Sequence, residues 1–334
     1  MARFRQSARR PASRRSLIMA ALYVVILIVV ALFGVLWHDE EPEAVYGSLD
    51  GRFTSDISLE YNGITKHYRE NEITNYLIIG IDRDDLDITD FQAGGQADFL
   101  LVLSVDRKNR EITPVMIDRD AMTDVPTYGV FGNPAGTRTM QICLAQAFSG
   151  SGVSGSRNTA KAVSTLLGGI KIDRYVLMDL DGIVALNDAV GGVTVTLEDD
   201  FTMMDPAMQK GATVLLQGNM AEYFVRGRTT VADGTNASRM NRQKTYIASL
   251  LSTILYRMEE DDGFIDYVYR ALEGHMESDT LESVLLNDVR SYKRYGWNEL
   301  VMLPGSHNIG EDGFAEFWID EQAAMDIVVD IWFE

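Results

Sequence analysis

A single cysteine, Cys143, stands in a chain of 334 residues, so no intramolecular disulfide can form and the fold has to be held by its core. That scarcity suits the surface of a bacterium without a strongly oxidising periplasm. Histidine is nearly as rare. His38, His67, His275 and His307 are the only four, and none lies beside a serine or cysteine in a nucleophile motif, which argues against a His-based triad or a zinc site. Neither a Walker loop nor a dinucleotide fingerprint occurs, because the Gly-Gly pairs at 94–95, 168–169 and 191–192 are turn material. Basic residues are outnumbered 30 to 49 by acids, and six of the 30 fall in the first 15 residues, which leaves 24 against all 49 acids and a formal charge of −25 beyond them. So acidic a surface excludes nucleic acid as a partner.

What is present begins with a run of 21 uncharged residues at 17–37, LIMAALYVVILIVVALFGVLW, enough helix to cross a bilayer core of about 30 Å. Arg3, Arg5, Arg9, Arg10, Arg14 and Arg15 precede it and HDEEPE follows, so the positive-inside bias puts the N-terminus in the cytoplasm and everything beyond His38 outside the cell membrane. The run exceeds the usual signal-peptide core and no small-x-small cleavage site follows, which favours an uncleaved single-pass anchor over a cleaved leader. The expected organisation is a cytoplasmic Arg-rich tail at 1–16, a transmembrane helix at 17–37, an acidic stalk at 38–74 with a turn-like YNGIT, and one extracellular domain at 75–334.

Within that domain, short apolar runs alternate with helical periodicity. Strands are expected at 75–81, 99–105, 111–117, 175–178 and 300–303, with a further short one in VTVTL. Helices are expected at 137–148, 157–167, 182–190, 217–225, 237–258, 264–273, 280–292 and 320–331. This pattern predicts an α/β sandwich with a mixed β-sheet flanked by helices. DRKN between the second and third strands is turn chemistry, so they read as a hairpin, which brings Asp98 to the same sheet edge as Asp118, Arg119 and Asp120. Ion pairs capping a hairpin would account for that edge equally well.

Three clusters carry candidate chemistry. The loop after the first strand holds Asp82, Asp84, Asp85, Asp87 and Asp90; it fails the calcium-loop pattern, and an Asp-rich loop of this kind is more often a solvated turn than a metal site. The hairpin edge holds Asp98, Arg119 and Asp120. The third cluster is basic: Arg226 and Arg228 in VRGR, then Arg239, Arg242 and Gln243 in SRMNRQ. Arg239 and Arg242 share a face near a helix N-terminus, where the dipole already favours negative charge. Cations there hint at a phosphate, and carboxylates with arginines are the parts for handling a phosphate with a hard divalent ion.

The order NYLIIGID, ADFLLVLSVD, ITPVMIDRD, DRYVLMDLDGIVALNDAVGGVTVTLEDDF, GNMAEYFVRGR, SRMNRQKTYIASLL, behind an Arg-rich tail and one span, resembles the LytR-CpsA-Psr family over residues 75–256. The resemblance implies an α/β sandwich with a deep apolar pocket, and a membrane-anchored phosphotransferase. Its implied activity moves a teichoic acid or capsular polysaccharide from a polyprenyl-pyrophosphate carrier onto peptidoglycan. Residue by residue, it places Asp82 and Asp98 at a Mg²⁺ (or Mn²⁺) site, Arg119, Arg226, Arg228, Arg239, Arg242 and Gln243 on the pyrophosphate, and Asp98 or Asp120 as the base. The chain departs from the family pattern at Gln96, where arginine is usual, at Gln141-Ile142-Cys143 for Lys-Ile-Asn, at Asn236 for aspartate and at Asp118 for proline. Those departures keep two alternatives open: a catalytically weakened binding or regulatory module for polyprenyl-linked polymer or wall, and a polyprenyl-pyrophosphate hydrolase.

Overall fold

The run ITNYLIIGI alternates its burial along its length, and that period of two organises the domain. The computed structural model describes residues 58–82, 95–129, 133–147, 155–227, 231 and 234–334, all within the second of the chain's two units, Tyr46–Glu334. The expected tail and span at 1–37 lie outside them, and no helix among the described residues is long and apolar enough to cross a membrane.

A hairpin comes first, β1 (Ser58–Tyr61) with β2 (Ile64–His67), turning at Asn62 and Gly63 with φ of 51° and 77°, the left-handed pair that a two-residue I′ turn requires. β3 (Ile73–Ile81), β4 (Ala97–Asp106) and β5 (Glu111–Ile117) then run antiparallel to one another as the centre of the sheet. β6 (Met122–Tyr128) and β7 (Pro134–Gln141) form a separate hairpin. After α1 (Gly155–Leu166), β8 (Arg174–Met178) joins β3 in parallel. Next come α2 (Leu180–Ala189), the ribbon of β9 (Val193–Thr196) with β10 (Thr213–Leu216), α3 (Asn219–Arg226), α4 (Asn236–Glu260) and α5 (Phe264–Ala271). The chain closes with β11 (Met276–Ser278), α6 (Glu282–Tyr292), β12 (Gly296–Trp297), β13 (Val301–Met302), the hairpin β14 (Gly305–Ile309) and β15 (Ala315–Ile319), and α7 (Glu321–Trp332). Seven strands make the main sheet in the order β11, β8, β3, β4, β5, β12, with β13 also on β5. Parallel and antiparallel pairs mix in it, as expected for an α/β sandwich.

Alternation assigns the two faces. Leu77, Ile79, Leu100, Val102, Val115 and Ile117 pack on one side against α1 and α7, a core completed by Trp332. On the other side Leu101 and Met116 meet Met240 of α4, with Ile78, Phe99, Leu103, Ile247, Leu300 and Met302 only half-buried around them. The helices α2, α3 and α5 and the β9–β10 ribbon enclose a third cluster, with Phe201, Leu216 and Phe224 at its centre.

Two expectations are corrected. The helix expected at 137–148 is β7 followed by one 3-10 turn, Ile142–Ala145. Thr137 and Thr139, β-branched, pair with Pro126 and Asp124 across the hairpin, and strand pairing prevails over a weak helical spacing. Residues 58–74 of the expected stalk are part of the folded domain: His67 exchanges backbone hydrogen bonds with Glu334 (3.0 and 2.9 Å), and the fully buried Asn75 accepts from Trp332 Nε1 (2.9 Å). The C-terminal residues and the start of the domain therefore fold as one unit. Trp332→Ala is expected to lose about 3–5 kcal/mol of stability through its cavity and the orphaned Asn75 oxygen, measured by urea unfolding; a loss below about 1 kcal/mol would contradict this packing.

Candidate functional site

The β3–β4–β5 edge builds the site from register alone. Gly80 pairs with Phe99 and Ile81 with Ala97, so β4 carries one extra residue, Asp98, in a bulge that aims its side chain off the ladder. Glycine at position 80 gives this close approach room, because a Cβ there would lie 3.0 Å from that of Phe99. Across β4, Leu100 faces Ile117; continuing that register sets Asp98 level with Arg119.

The two side chains meet. Arg119 Nη1 donates to Asp98 Oδ1, and Nη2 donates to Gln96 Oε1 and reaches Cys143 Sγ at 3.3 Å. Its Nε lies 3.4 Å from Asp120 Oδ1. Asp98 Oδ2 takes a second guanidinium, Arg239 Nη1 at 3.3 Å, from the first turn of α4. Arg226, at the end of α3, pairs with Asp82 Oδ1 and with Glu222 at 2.6 Å; against the cost of its burial, the Glu222 hydrogen bond first and then the charges of Asp82 and Asp98 hold it protonated. Burial pushes the Cys143 thiol up to about 11, against the pull of Arg119 beside it, so at neutral pH it is an uncharged neighbour and not a nucleophile.

Of the positions singled out from sequence, the structure gathers Asp82, Asp98, Arg119, Asp120, Arg226 and Arg239 at this edge. Arg242 and Gln243 point elsewhere: both are buried, and they donate to the carbonyls that end α3, Arg242 Nε to Phe224 O (3.2 Å) and Nη2 to Gly227 O, Gln243 Nε2 to Val225 O (3.3 Å). Asp199 neutralises Arg242 at 3.1 Å and the Phe201 ring lies under its guanidinium. Arg228, Asp84, Asp85, Asp87 and Asp90 lie outside the described residues.

The four departures from the family pattern also find partners. Gln96 accepts from Arg119, and Gln141 Nε2 donates to Ala315 O at 2.5 Å. Asn236 Nδ2 donates to Asp118 Oδ1 at 2.6 Å, while its Oδ1 accepts from Arg239 Nη2 at 2.7 Å. A carboxylate at position 118 would repel one at position 236; an amide there satisfies both neighbours. His307, which the sequence did not single out, reaches Asp118 Oδ2 through Nε2 at 2.8 Å. Ligand atoms of Asp118, Asp120 and His307 lie within 4.8 Å of one another, the group of metal-capable side chains found among the described residues. The turn residues EDG were the one local signal for the hairpin that delivers His307.

Asp82 and Asp98 supply hard oxygen donors from adjacent strand ends, the donor type Mg²⁺ takes when it also binds substrate phosphates. A polar cavity of about 490 Å³, lined by Arg69, Asp106, Glu111, Asn298 and Asp330 among others, lies at the turn end of the β4–β5 hairpin. It is about 26 Å from Asp98 along the strand and separate from this site.

A mixed-sheet α/β sandwich with its carboxylates and guanidinium groups at one sheet edge is the class that fold and site define. The chain belongs to the LytR-CpsA-Psr family: the LytR_cpsA_psr family model matches residues 48–328. It is 25% identical over 268 residues to the polyisoprenyl-teichoic acid–peptidoglycan teichoic acid transferase TagU of Bacillus mycoides, covering 80% of each chain. It is 28% identical over 186 residues to biofilm regulatory protein A of Streptococcus mutans, covering 54% of this chain and 43% of that one. In fold it is similar to protein gbs0355 from Streptococcus agalactiae, with a TM-score of 0.65 at 20% identity over 78% of this chain and 87% of that one. TagT bound to LI-WTA gives a TM-score of 0.59 at 17% identity, over 78% and 89%.

Burial separates the arginines energetically. Arg242→Ala is expected to cost about 3–5 kcal/mol, because it strands Asp199 and two carbonyls, whereas Arg226→Ala, in a pair 39% and 45% exposed, costs at most about 1 kcal/mol. Urea unfolding of both variants checks this, and similar losses in the two would contradict it.

Proposed function

We propose that the protein is a membrane-anchored phosphotransferase that attaches an anionic glycopolymer, carried on a polyprenyl pyrophosphate, to peptidoglycan. One observation carries the reading: guanidinium groups from β5, α3 and α4 converge on two carboxylates at a sheet edge, beside the apolar face where Ile78, Phe99, Leu103, Ile247 and Met302 stay half-buried. A pyrophosphate with an apolar tail matches both halves. The names of TagU and of TagT bound to LI-WTA support it.

In this reading the polyprenyl chain lies on the apolar face between β4 and α4, and Arg119, Arg226 and Arg239 hold the pyrophosphate. A peptidoglycan hydroxyl attacks the phosphorus bonded to the glycopolymer. The new oxygen–phosphorus bond forms as the bridging pyrophosphate bond breaks, and polyprenyl phosphate departs with the electron pair. Asp120, whose Oδ1 lies 3.4 Å from Arg119 Nε and which is not assigned to the ion, takes the hydroxyl proton. The arginines stabilise the charge that gathers on the departing phosphate. Asp82 and Asp98 would hold Mg²⁺ or Mn²⁺, which when bound supplies further neutralisation of phosphate charge.

A second reading, retention of the polymer without transfer, is favoured by Gln96 and Gln141. Both stand where the family pattern has a cation, and both are engaged within the protein. Labelled lipid-linked glycopolymer incubated with peptidoglycan separates the readings. Transfer by the wild type, reduced about 100-fold in Arg119→Lys with little change in unfolding midpoint, is the expected result. Full transfer by Arg119→Lys would contradict the proposal, binding without transfer would establish the second reading, and release of free polymer phosphate without attachment would indicate a hydrolase.

A further inference from the structure

The C-terminal hairpin β14–β15 has no counterpart in the motifs that mark the family, yet it is fixed against the segment that carries Arg119. Phe317 N donates to Asp120 O at 2.8 Å, and Ala121 and Phe317 form a parallel bridge. Gln141 Nε2 holds the hairpin from β7 through Ala315 O. His307, paired with Phe317 across the hairpin, packs against its ring at 4.8 Å between centroids with the planes tilted by 51°. The hairpin therefore presents the imidazole to Asp118 from a fixed direction.

Asp118 is buried and its carboxylate is fully used. Oδ1 accepts from Asn236 Nδ2 (2.6 Å) and from the Asp120 backbone N–H (2.8 Å), and Oδ2 faces His307 Nε2 (2.8 Å). The contact is a hydrogen bond to Asp118 when His307 carries its proton on Nε2. With three donors on two oxygens, Asp118 is a hydrogen-bond hub and a poor candidate to hold an ion as well. The hub orients Asn236: its amide nitrogen turns to the carboxylate, and its oxygen is left facing Arg239 Nη2 at 2.7 Å. Arg239 Nη1 in turn reaches Asp98 Oδ2 at 3.3 Å.

We infer that His307 is a positioning residue for the Arg239–Asp98 pair, acting through Asp118 and Asn236. The inference rests on the phosphate site proposed above. The imidazole locks Asp118, Asp118 selects one orientation of the Asn236 amide, and that orientation gives Arg239 an acceptor that holds its guanidinium toward Asp98. Without the imidazole, Asp118 turns toward solvent, Asn236 loses its directing partner and Arg239 samples other rotamers, so the phosphate cradle is less preorganised. The same chain gives the C-terminal third a role in the site that its sequence position does not suggest.

The test is titration of the full chain in detergent with geranylgeranyl pyrophosphate, for the wild type and for His307→Ala, His307→Gln, Asp118→Asn, Asn236→Ala and the His307→Ala/Asn236→Ala double variant. Affinity is expected to fall about tenfold in His307→Ala and in Asn236→Ala, the size of one lost charge-assisted hydrogen bond. His307→Gln, which keeps a donor near the same place, restores most of it. Asp118→Asn, close in shape to the native side chain, falls as His307→Ala does, and the double variant binds no worse than Asn236→Ala alone because the two act in series. Wild-type affinity in His307→Ala, a Gln variant no better than Ala, or losses that multiply in the double variant would each overturn the inference. Absence of binding by the wild type would instead overturn the phosphate site itself, and the inference with it.

Discussion

One carboxylate shared by two guanidinium groups sets the geometry of this protein. Asp98 takes Arg119 on one oxygen and Arg239 on the other, and those arginines belong to elements that the chain separates by more than a hundred residues. Two partly buried cations beside a single anion would repel each other if that anion were displaced, so the arrangement ties the first turn of α4 to the edge of the sheet. The bulge at Asp98 makes the sharing possible by lifting its side chain out of the ladder. Gly80 follows from the bulge, and the half-buried apolar face between β4 and α4 follows from where α4 is held.

Charge gives the cluster its function in the proposed reading. The chain carries a formal −19, a field that repels anions on approach, and Arg119, Arg226 and Arg239 stand against it at this edge. Without substrate each of the three site arginines rests on a carboxylate. In the proposed reading, the carboxylates hold the guanidinium groups in place to receive the oxygens of a pyrophosphate. The residues that depart from the family pattern fit the same network: Gln96 accepts from Arg119, and Asn236 mediates between Asp118 and Arg239.

Much of this was legible in the sequence, and the reason is the strand period. The hairpin of β4 and β5 follows from two Val/Ile/Leu runs around DRKN, and antiparallel pairing alone puts Asp98 beside Arg119. The long helix α4 was legible from its apolar spacing. Helix faces were harder: SRMNRQ puts Arg239 and Arg242 one turn apart, and nothing in the spacing says that Arg239 reaches the sheet edge while Arg242 turns inward to the carbonyls ending α3. Short β-ribbons were hardest. β7 and the β14–β15 hairpin bury little of their own surface and are held by tertiary partners, so their sequences carry weak periodicity. With the second of these went His307, whose importance arises from contact with Asp118, 189 residues away in sequence.

In the proposed reading this sheet edge binds a lipid pyrophosphate together with a divalent ion. Titration of the wild-type chain with geranylgeranyl pyrophosphate, in the presence and absence of Mg²⁺, tests it most directly. The account predicts saturable binding that Mg²⁺ strengthens and that excess inorganic pyrophosphate without an apolar tail competes for only weakly. Binding indifferent to Mg²⁺, or equal affinity for the tailless anion, would contradict it.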